Sequence, residues 1–153
     1  MTDIVILGGA RTAIGTFGGA LAGMPPISLA AHVTKAAGTT PDQIGTVAFG
    51  HVLNTEPRDM YLSRAAAIEA GMAVETPAMN VNRLCGSGIQ AIVSVTQSLM
   101  LGDAEFGLAG GAECMSRAPY IVPAIRWGQK MGDTGATDMM LGALTCPFGT
   151  GHM

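Results

Sequence analysis

Short apolar runs alternate with helical stretches along most of this chain, and each helical stretch is closed by a glycine. The extended runs are Ile4 to Leu7, Thr46 to Phe49, Ala78 to Asn82 and Phe106 to Ala109. The helical stretches are Ser28 to Ala37 before Gly38, Asp59 to Ala70 before Gly71, and Ser87 to Leu101 before Gly102. Ser28 and Asp59 read as N-caps and the glycines as C-terminal stops. Strands alternating with helices at this spacing predict an α/β layered sheet. The Ile4–Leu7 run reads as a strand buried on both faces. Ile89, Ile92, Val93 and Met100 mark the expected buried face of the third helix.

The pattern changes after Met115. Residues 1–115 read as an α/β domain, and residues 116–153 as a loop region or the start of a second domain. In that second part no clear strand is expected, and only Asp138 to Leu144 looks helical. No internal repeat or low-complexity tract is present.

Composition narrows the function classes. Of 153 residues 48% are apolar, enough for a core and too many for a disordered chain. Only 12% are charged, about half the ~25% of an ordinary soluble domain. So little charge implies that other protein covers part of the surface. The net charge is −3 with no basic stripe, which argues against nucleic-acid binding. No run of eighteen residues is free of polar interruption, so no membrane span is expected. The N-terminus lacks a basic n-region or an Arg-rich amphipathic run, so a cytoplasmic protein is expected. Cys85, Cys114 and Cys146 are odd in number and unclustered, which fits neither a disulfide framework nor a zinc site. Gly8-Gly9, Gly18-Gly19 and Gly110-Gly111 lack the G-x-G-x-x-G spacing, so no nucleotide cofactor is expected.

The segment with chemical content is Asn82-Arg83-Leu84-Cys85-Gly86-Ser87-Gly88, between a predicted strand and a predicted helix. A cysteine there lies near the backbone N–H groups and the positive dipole end of the helix, which favour thiolate over thiol. Gly86 and Gly88 allow a close approach by substrate or backbone. The Cys85 N–H could face a developing oxyanion. This is the logic of a strand–nucleophile–helix elbow. Equally, Cys85 could be a small buried hydrophobe, as free cysteines often are. A nucleophilic thiol needs a base. His32 and His51 read as structural, His152 stands at the terminus, and no spacing singles out any of the three.

The stretches "VNRLCGSGIQAIVSVTQSLMLGD" and "AGGAECMSRAPY" resemble the thiolases, also called acetyl-CoA acetyltransferases or β-ketothiolases. "GGARTAIGTFGGAL" is similar to that family's N-terminal strand and loop. "NTEPRDMYLSRAAAIEAG" resembles the bacterial β-ketothiolases of the polyhydroxyalkanoate and short-chain acyl type. "RWGQKMGDTGATDMMLGALTCPFGTGHM" resembles the start of the family's loop domain. The resemblance implies a thiolase-like layered α/β fold and a ping-pong acyl transfer between CoA thioesters. Cys85 would carry the acyl group, with its N–H in an oxyanion hole. Leu144, His152 and Met153 match loop-domain positions that line the pantetheine end of the CoA site. Acetyl-CoA and acyl-CoA would be substrates, with no resident cofactor or metal. A homodimer or homotetramer would be the assembly.

Three family motifs do not occur in these 153 residues: Gly-His-Pro with the activating histidine, Cys-x-Gly-Gly-Gly with the second cysteine, and Asn-Glu-Ala-Phe. The resemblance covers about the first two-fifths of a thiolase. The first helix is about one turn shorter than is usual in the family. Cys114 stands where the family more often has serine, and Cys146 at an aspartate-like position; neither is assigned a role. Two other readings stand beside a thiolase. One is another condensing or cysteine enzyme such as a ketoacyl synthase. The other is a non-catalytic, truncated interaction module.

Overall fold

The computed structural model describes residues 3–152. Its centre is a three-stranded parallel sheet of β1 (Ile44–Gly50), β2 (Ala78–Val81) and β3 (Phe106–Gly111), in the order β2-β1-β3. Val47 pairs with Ala78 and Gly50 with Val81; on the other side Phe49 pairs with Gly110 and Gly50 with Gly111. Successive side chains of a strand point to opposite faces. Val47 and Phe49 therefore join one apolar cluster, built with Ile27, Ala30 and Ala31 of α1 (Pro26–Ala36) and Leu62, Ala66 and Ala67 of α2 (Leu62–Glu69). Ala48 joins the other, with Ala91 and Val95 of α3 (Ser87–Leu101). Helices thus cover both faces, and β1 reads as a continuous apolar run because both its faces are buried.

Two glycines set how closely α3 lies on the sheet. A Cβ on Gly107 would sit 2.4 Å from the Val95 Cγ1. A Cβ on Gly50 would sit 2.6 Å from the backbone carbon of Ser87 and 2.7 Å from the nitrogen of Gly88. Any side chain at either place would push the helix away.

Several expectations need correcting. Ile4 to Leu7 is not a strand: it pairs with nothing, and Val5, Ile6 and Leu7 are 67%, 84% and 76% exposed. A cavity of about 1350 Å³ lies against both this run and β3, so the run has no ladder partner. Ile89, Ile92, Val93 and Met100 are exposed, and α3 instead buries its small side chains, Ala91 and Val95. Close packing on a glycine-bearing sheet selects small residues, which leaves the large ones exposed. The window Leu84–Leu101, with mean hydropathy 1.3, is also long and apolar enough by length and composition to cross a membrane, contrary to the expectation above. It packs on the sheet through Ala91 and Val95, while most of its surface is exposed.

Local starts also differ. Pro26 opens α1 behind Pro25, with no side-chain cap from Ser28. Asp59 lies inside a 3₁₀ turn, Pro57–Tyr61, whose N-cap is Glu56; the two carboxylates form a capping box. After Met115 two short strands do form, β4 (Tyr120–Ile121) and β5 (Thr137–Asp138), paired antiparallel. The helix expected there is α4 (Met139–Leu144), with Asp138 Oδ1 accepting from Met140 N at 2.8 Å.

Replacing Gly50 with alanine is expected to cost roughly 1–3 kcal/mol, the usual penalty for overpacking. Gly88→Ala, in helix α3 with open space around its Cα, should be neutral or stabilising by up to about 1 kcal/mol. Thermal unfolding of the two variants checks the pair; equal midpoints would show that α3 is free to move off the sheet.

Candidate active site

The chain leaves β2 at Val81, turns through Asn82 to Gly86 and enters α3 at Ser87. Hydrogen bonds internal to the turn determine its shape. Leu84 N donates to Asn82 Oδ1 at 3.1 Å. The buried Ser87 hydroxyl accepts from Arg83 N at 2.8 Å and donates to Leu84 O at 2.6 Å. The Gly86 N–H goes to Arg83 O and the Ser87 N–H to Leu84 O, each at 3.0 Å. Two of the helix-start N–H groups near the cysteine are therefore spent inside the turn. Leu84 has a φ of 47°, the one non-glycine residue with positive φ among the described residues. A side chain held there costs on the order of 1–3 kcal/mol and persists only when its surroundings over-determine it. Here Asn82, Ser87 and the Gly50 contact do so. The result is a strand-to-helix elbow with Cys85 at its outer, exposed corner. Cys85 is thus not the buried hydrophobe that was its alternative reading.

Beside the elbow, the ends of all three strands are tied by His51, one residue beyond β1. Its N–H donates to Val81 O at 3.0 Å. Its Nδ1 lies 2.9 Å from Ala112 O and 3.4 Å from Glu113 Oε1. Both neighbours are acceptors, so Nδ1 carries the proton. Glu113 also accepts from Val52 N at 2.8 Å and Leu53 N at 3.2 Å. His51 Nε2 is buried without a partner among the described residues. No hydrogen bond joins it to Cys85. His51 thus has the structural role expected for it, whereas His32 lies exposed on α1 rather than inside a packed site.

A second set of bonds joins two loops singled out in the sequence. Arg117 Nη2 pairs with Glu56 Oε2 at 3.0 Å, and Arg117 Nε reaches Thr55 Oγ1 at 3.3 Å. Buried Asp59 Oδ2 accepts from Thr55 N at 2.7 Å, Thr55 Oγ1 at 2.8 Å and Glu56 N at 3.1 Å. The segment after β3 is thereby fastened to the segment after β1.

The other expected site residues lie on a hairpin. Leu144 ends α4 and is half-buried. His152 is exposed; its Nδ1 is 3.0 Å from Thr145 Oγ1, and Thr145 and His152 form an antiparallel bridge. Met153 lies outside the described residues. Leu144 and His152 therefore share one neighbourhood, and no hydrogen bond or ion pair links it to the Cys85 elbow among the described residues. Cys146 sits between them, its N–H bonded to Gly151 O at 2.9 Å. The Thr150 hydroxyl, then the N–H groups of Thr150, Phe148 and Gly149, hold the Cys146 thiol below its ordinary pKa. Among the described residues no three His, Cys, Asp or Glu side chains are grouped to hold a metal ion.

Comparison with known proteins decides the family. Residues 4–153 match the family model described as thiolase, N-terminal domain. The chain belongs to the thiolase family. It is 54% identical to the beta-ketothiolase BktB of Cupriavidus necator, over 99% of this chain and 39% of that protein. It is 46% identical to an acetyl-CoA acetyltransferase of the same organism, over 92% of this chain and 37% of that one. Its structure is similar to human mitochondrial 3-ketoacyl-CoA thiolase in complex with CoA, with TM-score 0.89 and 36% identity over 95% of this chain and 38% of that one. A Bacillus anthracis acetyl-CoA acetyltransferase gives TM-score 0.88 at 34% identity over 97% and 38%. The α/β thiolase fold is thus shown, and this thiolase chain spans about two-fifths of the length of the relatives it matches.

The sequence contained no signal for the left-handed Leu84 or for the part played by Ser87. Gly50 was visible as a glycine ending a strand, but its contact partner lies 37 residues away in sequence.

Ser87→Ala removes both hydroxyl bonds of Ser87 and leaves Arg83 N unpaired; a loss of about 1–3 kcal/mol is expected in denaturant unfolding. Leu84→Gly should be neutral or stabilising by up to about 1 kcal/mol, because glycine adopts that φ without strain. A large loss in the second variant would show that the elbow is unstrained.

Thr150→Ala should move the alkylation of Cys146 to higher pH, read by peptide mapping of an iodoacetamide pH series. The Cys146 pKa is depressed in the folded state. Its contribution to stability is therefore present above the ordinary thiol value and lost as pH falls through the folded one. An unchanged alkylation profile would refute the role given to Thr150.

Proposed function

We propose that this chain supplies the acyl-carrying part of a thiolase active site, with Cys85 as the nucleophile. The observation that carries the reading is the exposed thiol at the corner of a strained elbow, in a chain 54% identical to a β-ketothiolase. Cys85 Sγ adds as thiolate to the carbonyl carbon of an acyl-CoA. The carbon–sulfur bond to CoA breaks, and CoA leaves as a thiolate that takes up a proton. The acyl group is then held on Cys85 as a thioester. Acetyl-CoA loses a methyl proton to a base, and its carbanion attacks that thioester. A 3-ketoacyl-CoA is released and the Cys85 thiolate restored. Run backwards, the same steps are thiolytic cleavage.

The Cys85 N–H would donate to the oxyanion formed in each attack. Leu144, His152 and Met153 would line the pantetheine end of the CoA site; the human relative solved with CoA supports a CoA thioester as substrate. No histidine among the described residues is hydrogen-bonded to Cys85. His32 faces solvent on α1, His51 holds the strand ends, and His152 is bonded to Thr145. The base would therefore come from polypeptide outside these 153 residues. The assembly we propose is a homodimer or homotetramer of the whole thiolase, consistent with the apolar side chains left exposed on α3.

Acetyl-CoA should transfer one acetyl group to Cys85 when the remaining part of a thiolase is supplied, seen as a mass increase lost in Cys85→Ala. The 153-residue chain alone should show no thiolysis above background. An adduct that persists in Cys85→Ala, or no adduct in the two-part mixture, would contradict the proposal.

A further inference from the structure

Beyond their last paired residues the three strands are joined mainly by side chains. Ala112 N donates to Gly50 O at 3.1 Å, and His51 N donates to Val81 O at 3.0 Å. The next two N–H groups, of Val52 and Leu53, find no backbone acceptor among the described residues. Glu113 takes both: Val52 N donates to Oε2 at 2.8 Å and Leu53 N to Oε1 at 3.2 Å. Oε1 also lies 3.4 Å from His51 Nδ1, and the Glu113 side chain is only 29% exposed. A carboxylate that accepts from backbone N–H groups makes stronger bonds than a neutral pair does. Residues 51–53 are therefore fixed by a side chain that comes from beyond β3.

The same segment is the support of the elbow. Val52 O accepts from Asn82 Nδ2 at 3.5 Å, and Asn82 Oδ1 accepts from Leu84 N at 3.1 Å. Only an oxygen can accept from Leu84 N, so the amide nitrogen of Asn82 is the end that faces Val52 O. One side chain thus spans from the segment after β1 to the residue before Cys85. Leu84 carries the positive φ, which persists only where its surroundings over-determine it. Ser87 holds the turn from the helix side, through Arg83 N and Leu84 O. Asn82 holds it from the sheet side, and what Asn82 rests on is fixed by Glu113.

We propose that Glu113 is a positioning residue for the elbow. It fixes the segment after β1, that segment fixes the Asn82 amide, and Asn82 fixes Leu84 and with it the direction of the Cys85 N–H and thiol. That the thiol carries an acyl group rests on the function proposed above; that Glu113 sets the elbow does not.

Amide exchange in the whole 153-residue chain, followed by NMR, reads the elbow without activity. Glu113→Ala removes the carboxylate. Asn82→Asp, at an exposed position, retains an oxygen for Leu84 N and gives up the N–H that reaches Val52 O. Each should lower the protection of the Leu84 amide about fivefold, relative to the unstructured-peptide rate, and leave that of Ala48 in β1 unchanged. Both cut one line of contacts, so the double variant should be no worse than the worse single. Glu113→Gln retains one acceptor oxygen and should give a smaller change in the same direction. With the remaining part of a thiolase supplied, Glu113→Ala and Asn82→Asp should lower kcat for acetyl transfer about tenfold and move KM less than about twofold. Glu113→Gln should recover part of that kcat. The proposal is overturned if Leu84 stays fully protected in both Glu113 variants, or if the two effects multiply in the double variant. It is equally overturned if Ala48 loosens by the same factor as Leu84, or if KM rises while kcat holds. Exchange that follows the expectation in a parent that transfers no acetyl group supports the positioning role of Glu113 and contradicts the catalytic role of Cys85.

Discussion

The close contact between the end of β1 and the first turn of α3 is the constraint on which the rest of the site depends. With no side chain at Gly50, the backbone of Ser87 and Gly88 sits directly against the strand. That contact fixes the start of the helix, and the start of the helix fixes the turn before it. Five residues, Asn82 to Gly86, separate Val81 from α3 at Ser87, and the chain must reverse direction within that length. The left-handed Leu84 is the cost of doing so, on the order of 1–3 kcal/mol. Burial of Ala48 against Ala91 and Val95 offsets it. Packing energy from the sheet is thus stored as conformation at the corner that presents the thiol.

Chemistry in this chain is divided between what is held and what is left open. The Cys85 elbow, the His51–Glu113 tie and the Arg117–Glu56 pair are held by internal hydrogen bonds. The outer side of α3, the free edge of β3 and the run from Ile4 to Leu7 are apolar and uncovered. The site is built from the first set, and the surfaces that would join it to the remainder of a thiolase from the second. The sparse charge of the sequence has its counterpart in these exposed apolar faces.

Signals that act over a few residues were legible in the sequence. Ser87 to Leu101 is the helix expected, closed by Gly102 with φ 82°, and Ala78 to Val81 and Phe106 to Gly111 are the strands expected within a residue or two. Asp138 caps α4 as its position implied. Errors arose where a partner decides the outcome. Ile4 to Leu7 has the composition of a buried strand, yet a strand forms only against a neighbour. The apolar side chains of α3 run round much of its surface, so periodicity could not say which stripe meets the sheet; Gly107 and Gly50 select the stripe with small residues. Asp59 looked like a cap, but Pro57 moved the helical start upstream and gave that place to Glu56. The position of Cys85 between a strand and a helix was legible. The strain at Leu84 was not, because it comes from distance constraints rather than from the residue.

The most direct measurement of the central idea is the exchange of labelled CoA into acetyl-CoA by the assembled two-part protein, with no second acyl acceptor present. Acyl transfer to Cys85 and back predicts exchange that disappears in Cys85→Ala, while the variant retains its fold and its assembly. Exchange that continues at an undiminished rate without the Cys85 thiol would contradict the account.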